Sequence, residues 1–153
     1  MAYTIIPECI GCQACSKICP STAIIGEKKE MHIINSDICI ECGACGRVCP
    51  VGAIKNNFGV TALRIKRKDW EQPVIDMDTC MSCGICIDTC PAGALENALQ
   101  QKNNPHAFPI LTDVSICMGC GFCATDCPVS AITMTARENM TVREEQNTAP
   151  QEA

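Results

Sequence analysis

Apolar side chains along this chain come in very short runs. Tyr3-Thr4-Ile5-Ile6, His32-Ile33-Ile34, Val74-Ile75 and Ile110-Leu111-Thr112 each read as a β-like stretch of a few residues. Runs this short cannot form independent sheets, so they are predicted to pair as small hairpins. A second set, Ala23-Ile24-Ile25, Ala53-Ile54, Ala94-Leu95 and Ala131-Ile132, follows four prolines. Its apolar side chains are placed to cover whatever lies between the hairpins. No stretch approaches the roughly 18–20 unbroken apolar residues of a membrane-spanning helix.

Between these runs one string recurs four times. It reads Cys-x2-Cys-x2-Cys-x3-Cys-Pro, at Cys9, Cys12, Cys15, Cys19 with Pro20, and again at Cys39, Cys42, Cys45, Cys49 with Pro50. The third copy is Cys80, Cys83, Cys86, Cys90 with Pro91, and the fourth is Cys117, Cys120, Cys123, Cys127 with Pro128. All 16 cysteines of the 153 residues are used. The residues after each third cysteine have room for about one helical turn, which the proline then ends. Small residues (Gly11, Gly43, Gly84, Gly119, Gly121) let the loops turn and bring backbone N–H groups toward the sulfurs.

Thiols this dense belong either to a secreted disulfide scaffold or to a metal protein in a reducing compartment. Met1–Pro7 lacks the basic start and apolar run of a secretory signal, so the second class and a cytoplasmic location are expected. Zinc sites take paired Cys-x2-Cys units or Cys/His mixtures, which a three-plus-one run with a trailing proline fits poorly. The run is instead that of [4Fe–4S] ligation, in which the fourth cysteine serves the other cluster. A catalytic thiol would need a spare cysteine, and none is left. The net charge of −5 argues against a partner held by phosphate contacts, so no nucleic acid is expected. No GxGxxG after a strand and no P-loop is present.

On these motifs, Ala2–Ile54 resembles a complete bacterial two-[4Fe–4S] ferredoxin. The likeness includes the opening Ala2-Tyr3-Thr4-Ile5, the lead-in Ile33-Ile34-Asn35-Ser36-Asp37 and the exit Val51-Gly52-Ala53-Ile54. Val74-Ile75-Asp76-Met77-Asp78 through Ile132 resembles a second module with a longer interior. The resemblance implies an α+β fold of two tandem ferredoxin-like modules, each with short hairpins and short helices around a cluster pair. Modules are expected at residues 1–56 and 73–136, with a linker at 57–72 and a polar tail at 137–153, disordered or a partner-binding arm.

The resemblance also implies four clusters with exchanged ligands. The first would take Cys9, Cys12, Cys15 and Cys49, and the second Cys39, Cys42, Cys45 and Cys19. The third would take Cys80, Cys83, Cys86 and Cys127, and the fourth Cys117, Cys120, Cys123 and Cys90. A nested design, pairing copy one with four and two with three, is the alternative. The gaps of 19, 30 and 26 residues between successive runs favour the tandem one, because the shortest lies inside the first module.

Fully thiolate-ligated clusters leave no open iron, so an electron relay is expected rather than a catalyst. Four oxidised clusters would take the formal charge of −5 to about −13. The chain resembles small polyferredoxin-like subunits that serve tungsten aldehyde oxidoreductases, formate dehydrogenases and hydrogenases. The expected role is thus a subunit linking a tungsten or molybdenum oxidoreductase to a ferredoxin-like or flavin-containing partner in an anaerobic host. A diffusing polyferredoxin is the alternative, and a non-redox scaffold or sensor a remote one.

Three features lie outside the clusters. The linker holds Lys55, Arg64, Lys66, Arg67 and Lys68 against Asp69 and Glu71. It reads as a solvated connector, or as a docking strip if Trp70 is exposed beside Val60–Ile65. The insert Glu96–Phe108 reads as a helical turn followed by a polar loop. The two histidines, His32 and His106, read as surface residues.

Overall fold

The computed structural model describes residues 2–98 and 108–136. The chain divides into two compact units, Met1–Lys66 and Arg67–Ala153. In the first, β1 (Thr4–Ile5), α1 (Ala14–Ile18), β2 (Ile24–Ile25), β3 (Ile33–Ile34), α2 (Ala44–Val48) and β4 (Ile54–Lys55) follow in order. The first strand pairs antiparallel with the last, Ile5 opposite Ile54, and the two middle strands pair with each other, Ile24 opposite Ile34.

The second unit repeats this plan. A 3-10 turn over Arg67–Asp69 leads into β5 (Glu71–Ile75), α3 (Ile85–Thr89), β6 (Leu95–Asn97), β7 (Pro109–Leu111), α4 (Phe122–Thr125) and β8 (Ile132–Ala136). Outer strands β5 and β8 pair with Ile75 opposite Ile132, and inner strands β6 and β7 with Leu95 opposite Leu111. The outer ladder is longer here, five residues against two in the first unit.

Each helix is little more than one turn and starts on a residue in the left-handed region. That residue is Gly43, Gly84 or Gly121 in three copies and Gln13, at φ 64°, in the first. Reversing the chain from the cysteine loop into a helix in one residue requires this conformation, which costs glycine nothing. At the other end Cys19, Cys49 and Cys90 have returned to extended backbone, and a proline follows each.

The apolar interior is thin. In the first unit it holds Ile5, Ile24, Ala53 and Ile54 with Cys15, Cys45 and Cys49. In the second it holds Leu95 and Ile132 with Cys86 and Cys123. The post-proline residues thus face inward as their pattern implies, except Ile25, which is exposed, and thiols supply much of the remaining core. A unit of this size with so few large side chains lacks the apolar burial that ordinary small domains rely on.

The stretch read as a linker is divided between the units. Its first part turns back on β4 through Asn56 N–H to the Val60 carbonyl (2.9 Å) and Ala62 N–H to the Ile54 carbonyl (2.8 Å). Ile65 N–H then reaches the Arg47 carbonyl at 3.0 Å. Residues 67–72 belong to the second unit. Trp70 is 2% exposed, with the Arg67 guanidinium 4.9 Å from its ring centroid, so a docking strip built on an exposed tryptophan is excluded. Val60 and Leu63 are exposed. Most of the insert, His106 and the tail lie outside the described residues.

Candidate iron–sulfur sites

The fold brings the sixteen cysteines together in four sets, with no disulfide among them. Cys9, Cys12, Cys15 and Cys49 line one cavity of the first unit, and Cys19, Cys39, Cys42 and Cys45 line another. In the second unit one cavity is lined by Cys80, Cys83, Cys86 and Cys127, and the other by Cys90, Cys117, Cys120 and Cys123. Each set therefore combines three cysteines of one run with the last cysteine of its neighbour. Each of these four cavities draws its cysteines from within a single unit.

The exchange has a simple local cause. A one-turn helix separates the third cysteine of a run from the fourth, so α1 presents Cys15 to one cavity and Cys19 to the other. The space between the lining residues of each cavity measures about 300 to 330 Å³, part of it open to solvent. Among the described residues no three His, Cys, Asp or Glu side chains converge closely enough to hold a single metal ion. Four sulfurs ringing a space wider than one ion fit a polynuclear cluster and not mononuclear zinc.

The fourth cysteine of every run accepts a backbone hydrogen bond from the alanine four residues on. Ala23 N–H reaches Cys19 Sγ at 3.3 Å and Ala53 N–H reaches Cys49 Sγ at 3.2 Å. Ala94 to Cys90 and Ala131 to Cys127 are both 3.3 Å. All four alanines are buried. Sequence reasoning looked to the loop glycines for such donors, and Gly11 N–H does lie 3.5 Å from Cys9 Sγ. The shorter bonds come from the alanines, whose signal was the recurring Cys-Pro-x-x-Ala.

Two further regularities were missed. Asn35 Oδ1, Asp76 Oδ1 and Asp113 Oδ1 each accept the N–H two residues on, at 2.9, 3.1 and 2.7 Å. These Asx turns sit four residues before the first cysteine of three runs and aim the chain into its loop. The Asp76 carboxyl is also held below its ordinary pKa, chiefly by the Thr79 hydroxyl at 2.6 Å.

One residue on or next to a strand walls each cavity: Tyr3 just before β1, His32 just before β3, Pro73 within β5 and Pro109 at the start of β7. His32, read as a surface residue, is instead fully buried, with Nδ1 donating to the Glu30 carbonyl at 3.1 Å and Nε2 unpartnered. Gly26 makes room for its ring: a Cβ there would come within 2.7 Å of it. Tyr3 has its phenol pKa raised, first by burial and then by the charge of Cys45.

Electrostatics set the thiols against ionising together without iron. Burial pushes the Cys15 thiol up to about 11 and those of Cys45 and Cys123 up to about 12, with neighbouring cysteine charges adding to each rise. Burial raises the Cys86 thiol as well. Four thiolates in one small cavity need positive charge between them, which iron supplies.

Comparison with known proteins agrees with this chemistry. The 4Fe–4S dicluster domain family matches residues 4–56 and 73–148, and a second 4Fe–4S dicluster family matches residues 38–94. The chain belongs to the 4Fe–4S dicluster domain family and carries two such domains in tandem. It is an iron–sulfur electron-transfer protein of the ferredoxin type.

A "Ferredoxin-like protein in nif region" of Nostoc sp. (strain PCC 7120) is 45% identical over 38 residues, 25% of this chain and 33% of that protein. The match therefore spans about a third of that relative's length. A chain of the formate dehydrogenase–heterodisulfide reductase–formylmethanofuran dehydrogenase complex from Methanospirillum hungatei is 20% identical, with a TM-score of 0.42. That comparison covers 88% of this chain and 52% of the other. Among the described residues no helix is long and apolar enough to cross a membrane.

Proposed function

We propose that the protein relays single electrons through four [4Fe–4S] clusters, one in each cysteine-lined cavity. The ligand sets are Cys9, Cys12, Cys15 and Cys49; Cys39, Cys42, Cys45 and Cys19; Cys80, Cys83, Cys86 and Cys127; and Cys117, Cys120, Cys123 and Cys90. The observation that carries this reading is the grouping of all sixteen thiols into four sets of four, with none left over. When bound, such clusters supply one-electron chemistry and no open iron for a substrate. The chain's own part is to hold the sulfurs, to direct the alanine N–H groups at them, and to keep water out with Ile24, Ile54, Leu95 and Ile132.

The relay serves as the iron–sulfur subunit of a larger cytoplasmic oxidoreductase. It links a tungsten- or molybdenum-type catalytic subunit to a ferredoxin-like or flavin-containing partner. Two reasons support a subunit over a diffusing carrier. Four clusters are more than shuttling single electrons requires, and Val60 and Leu63 on the first unit leave apolar surface open to a partner.

Iron and sulfide analysis of anaerobically purified protein tests the relay, with about sixteen irons and spin-coupled EPR signals on reduction expected. Native mass in extracts of unmodified cells tests the assembly. A free monomer near 16.4 kDa would replace the subunit with a diffusing carrier.

A further inference from the structure

The four cysteine loops are close copies, yet they differ in what covers them. The residue after the first cysteine is apolar in every run: Ile10, Ile40, Met81 and Met118. The first three are 55%, 37% and 60% exposed, whereas Met118 is 5% exposed. Met118 also lines the cavity of Cys90, Cys117, Cys120 and Cys123.

The chain laid along that loop is the run that opens the second unit. Arg67 donates through Nη2 to the Ser115 carbonyl, and Gln72 donates through Nε2 to the Val114 carbonyl at 3.1 Å. Between them Trp70 is buried, with Arg67 stacked on its ring. Gln72 is fully buried and its Oε1 has no partner. An orphaned buried acceptor is a real cost, and the amide's other end is spent holding the Val114 carbonyl. The run thus bridges residues 114 and 115, two or three positions before Cys117.

We propose that Arg67–Gln72 is a cap that shuts water away from the Cys90/Cys117/Cys120/Cys123 site, leaving the Cys80/Cys83/Cys86/Cys127 site as the second unit's point of electron exchange. The exposure of Cys83 and Met81 in that other loop agrees with this division. The proposal rests on the four-cluster reading above. Trp70 acts through the Val114–Met118 loop, so it is a positioning residue. A hydrophobic shell governs solvent access and with it oxidant access and potential. Admitting water favours the more highly charged reduced state, so an opened cap raises the midpoint of the site beneath it.

The test is anaerobically purified, cluster-loaded protein bleached with ferricyanide and followed at the iron–sulfur absorbance. Wild-type protein should lose about three quarters of the signal ahead of a slow final quarter. That slow quarter should be missing from Cys120→Ser, which assigns it. Trp70→Ala should speed the slow quarter about fivefold or more and raise the midpoint of one cluster in an EPR-monitored titration. Trp70→Phe should restore both, and Phe58→Ala, at an exposed side chain that lines none of the four cavities, should change neither.

If Trp70→Ala does not load iron, Arg67→Gln, which removes the stack and the Ser115 bond, is read in the same way. Wild-type protein holding fewer than four clusters would sink the relay reading itself. Four clusters with no slow quarter, or a slow quarter indifferent to every loaded cap variant, would overturn the cap alone. Parallel loss of all four clusters in Trp70→Ala, unrescued by Phe, would also overturn it.

Discussion

Gly46 in α2 lies directly beneath Ala62, and a Cβ added at Gly46 would stand 2.3 Å from the Ala62 Cβ. The chain after β4 returns over this helix, and glycine permits the approach. Gly46→Ala should therefore destabilise the first unit by about 1–3 kcal/mol despite alanine's better helix propensity. The double variant Gly46→Ala/Ala62→Gly should recover most of the loss. Thermal unfolding of the loaded protein measures both, and a double variant no better than the single one would refute the contact.

Arg47, one residue along the same helix, donates through Nη2 to the Cys42 carbonyl at 3.1 Å. Its positive charge stands beside the loop of Cys39, Cys42 and Cys45, where reduction adds negative charge. Arg47→Gln should lower the midpoint of a single cluster, by on the order of tens of mV. Arg47→Lys should fall between. An EPR-monitored titration reads this, and a potential unmoved by either change would show that the guanidinium is purely structural.

Gln13 is the one helix-opening residue of the four that is not glycine, and it holds φ 64°. Gln13→Gly removes the left-handed strain at the cost of a more flexible unfolded chain. A net gain of about 0.5–1 kcal/mol is expected. Slower cluster loss on heating would register it, whereas faster loss would mean that the glutamine side chain contributes contacts outweighing the strain.

Proton release should accompany cluster insertion. The Cys15, Cys45 and Cys123 thiols, with pKa values pushed up to about 11 or 12, carry their protons at neutral pH in the iron-free fold. Iron binds the thiolates, so loading expels those protons and is favoured as pH rises. The iron-free fold responds in the opposite sense. A raised folded pKa stabilises it below the ordinary thiol pKa, and this stabilisation fades as pH climbs from about 9 toward 11 or 12. Reconstitution in weak buffer should acidify the solution and proceed further at pH 8.5 than at pH 6.5. An uptake of protons would contradict the assignment of these thiols as ligands.

Much of this molecule was legible from its cysteines. Spacing alone announced the loops, the one-turn helices and the prolines that end them, because ligand geometry leaves few ways to arrange three thiolates in seven residues. The sharing of cysteines between runs came from the ferredoxin resemblance, and the cavities group the thiols in the same way. What escaped depended on long-range packing. His32 opens the run His32-Ile33-Ile34, and the alternation along it leaves Ile33 exposed and turns the histidine inward. Trp70 stands among charges, and only the carbonyls of Val114 and Ser115, more than 40 residues away, explain the burial of its segment. Composition cannot report a partner that distant.

The short helix α1 and the residue that follows it reach both cavities of the first unit, Cys15 entering one and Cys19 the other. Four residues of helix advance only about 6 Å along its axis. On the proposed four-cluster reading, two cofactors joined by so short a rod would not drift apart when the protein breathes or docks. Tunnelling between them should consequently proceed at a pace indifferent to solvent viscosity, with any mechanical gating confined to steps that leave the unit.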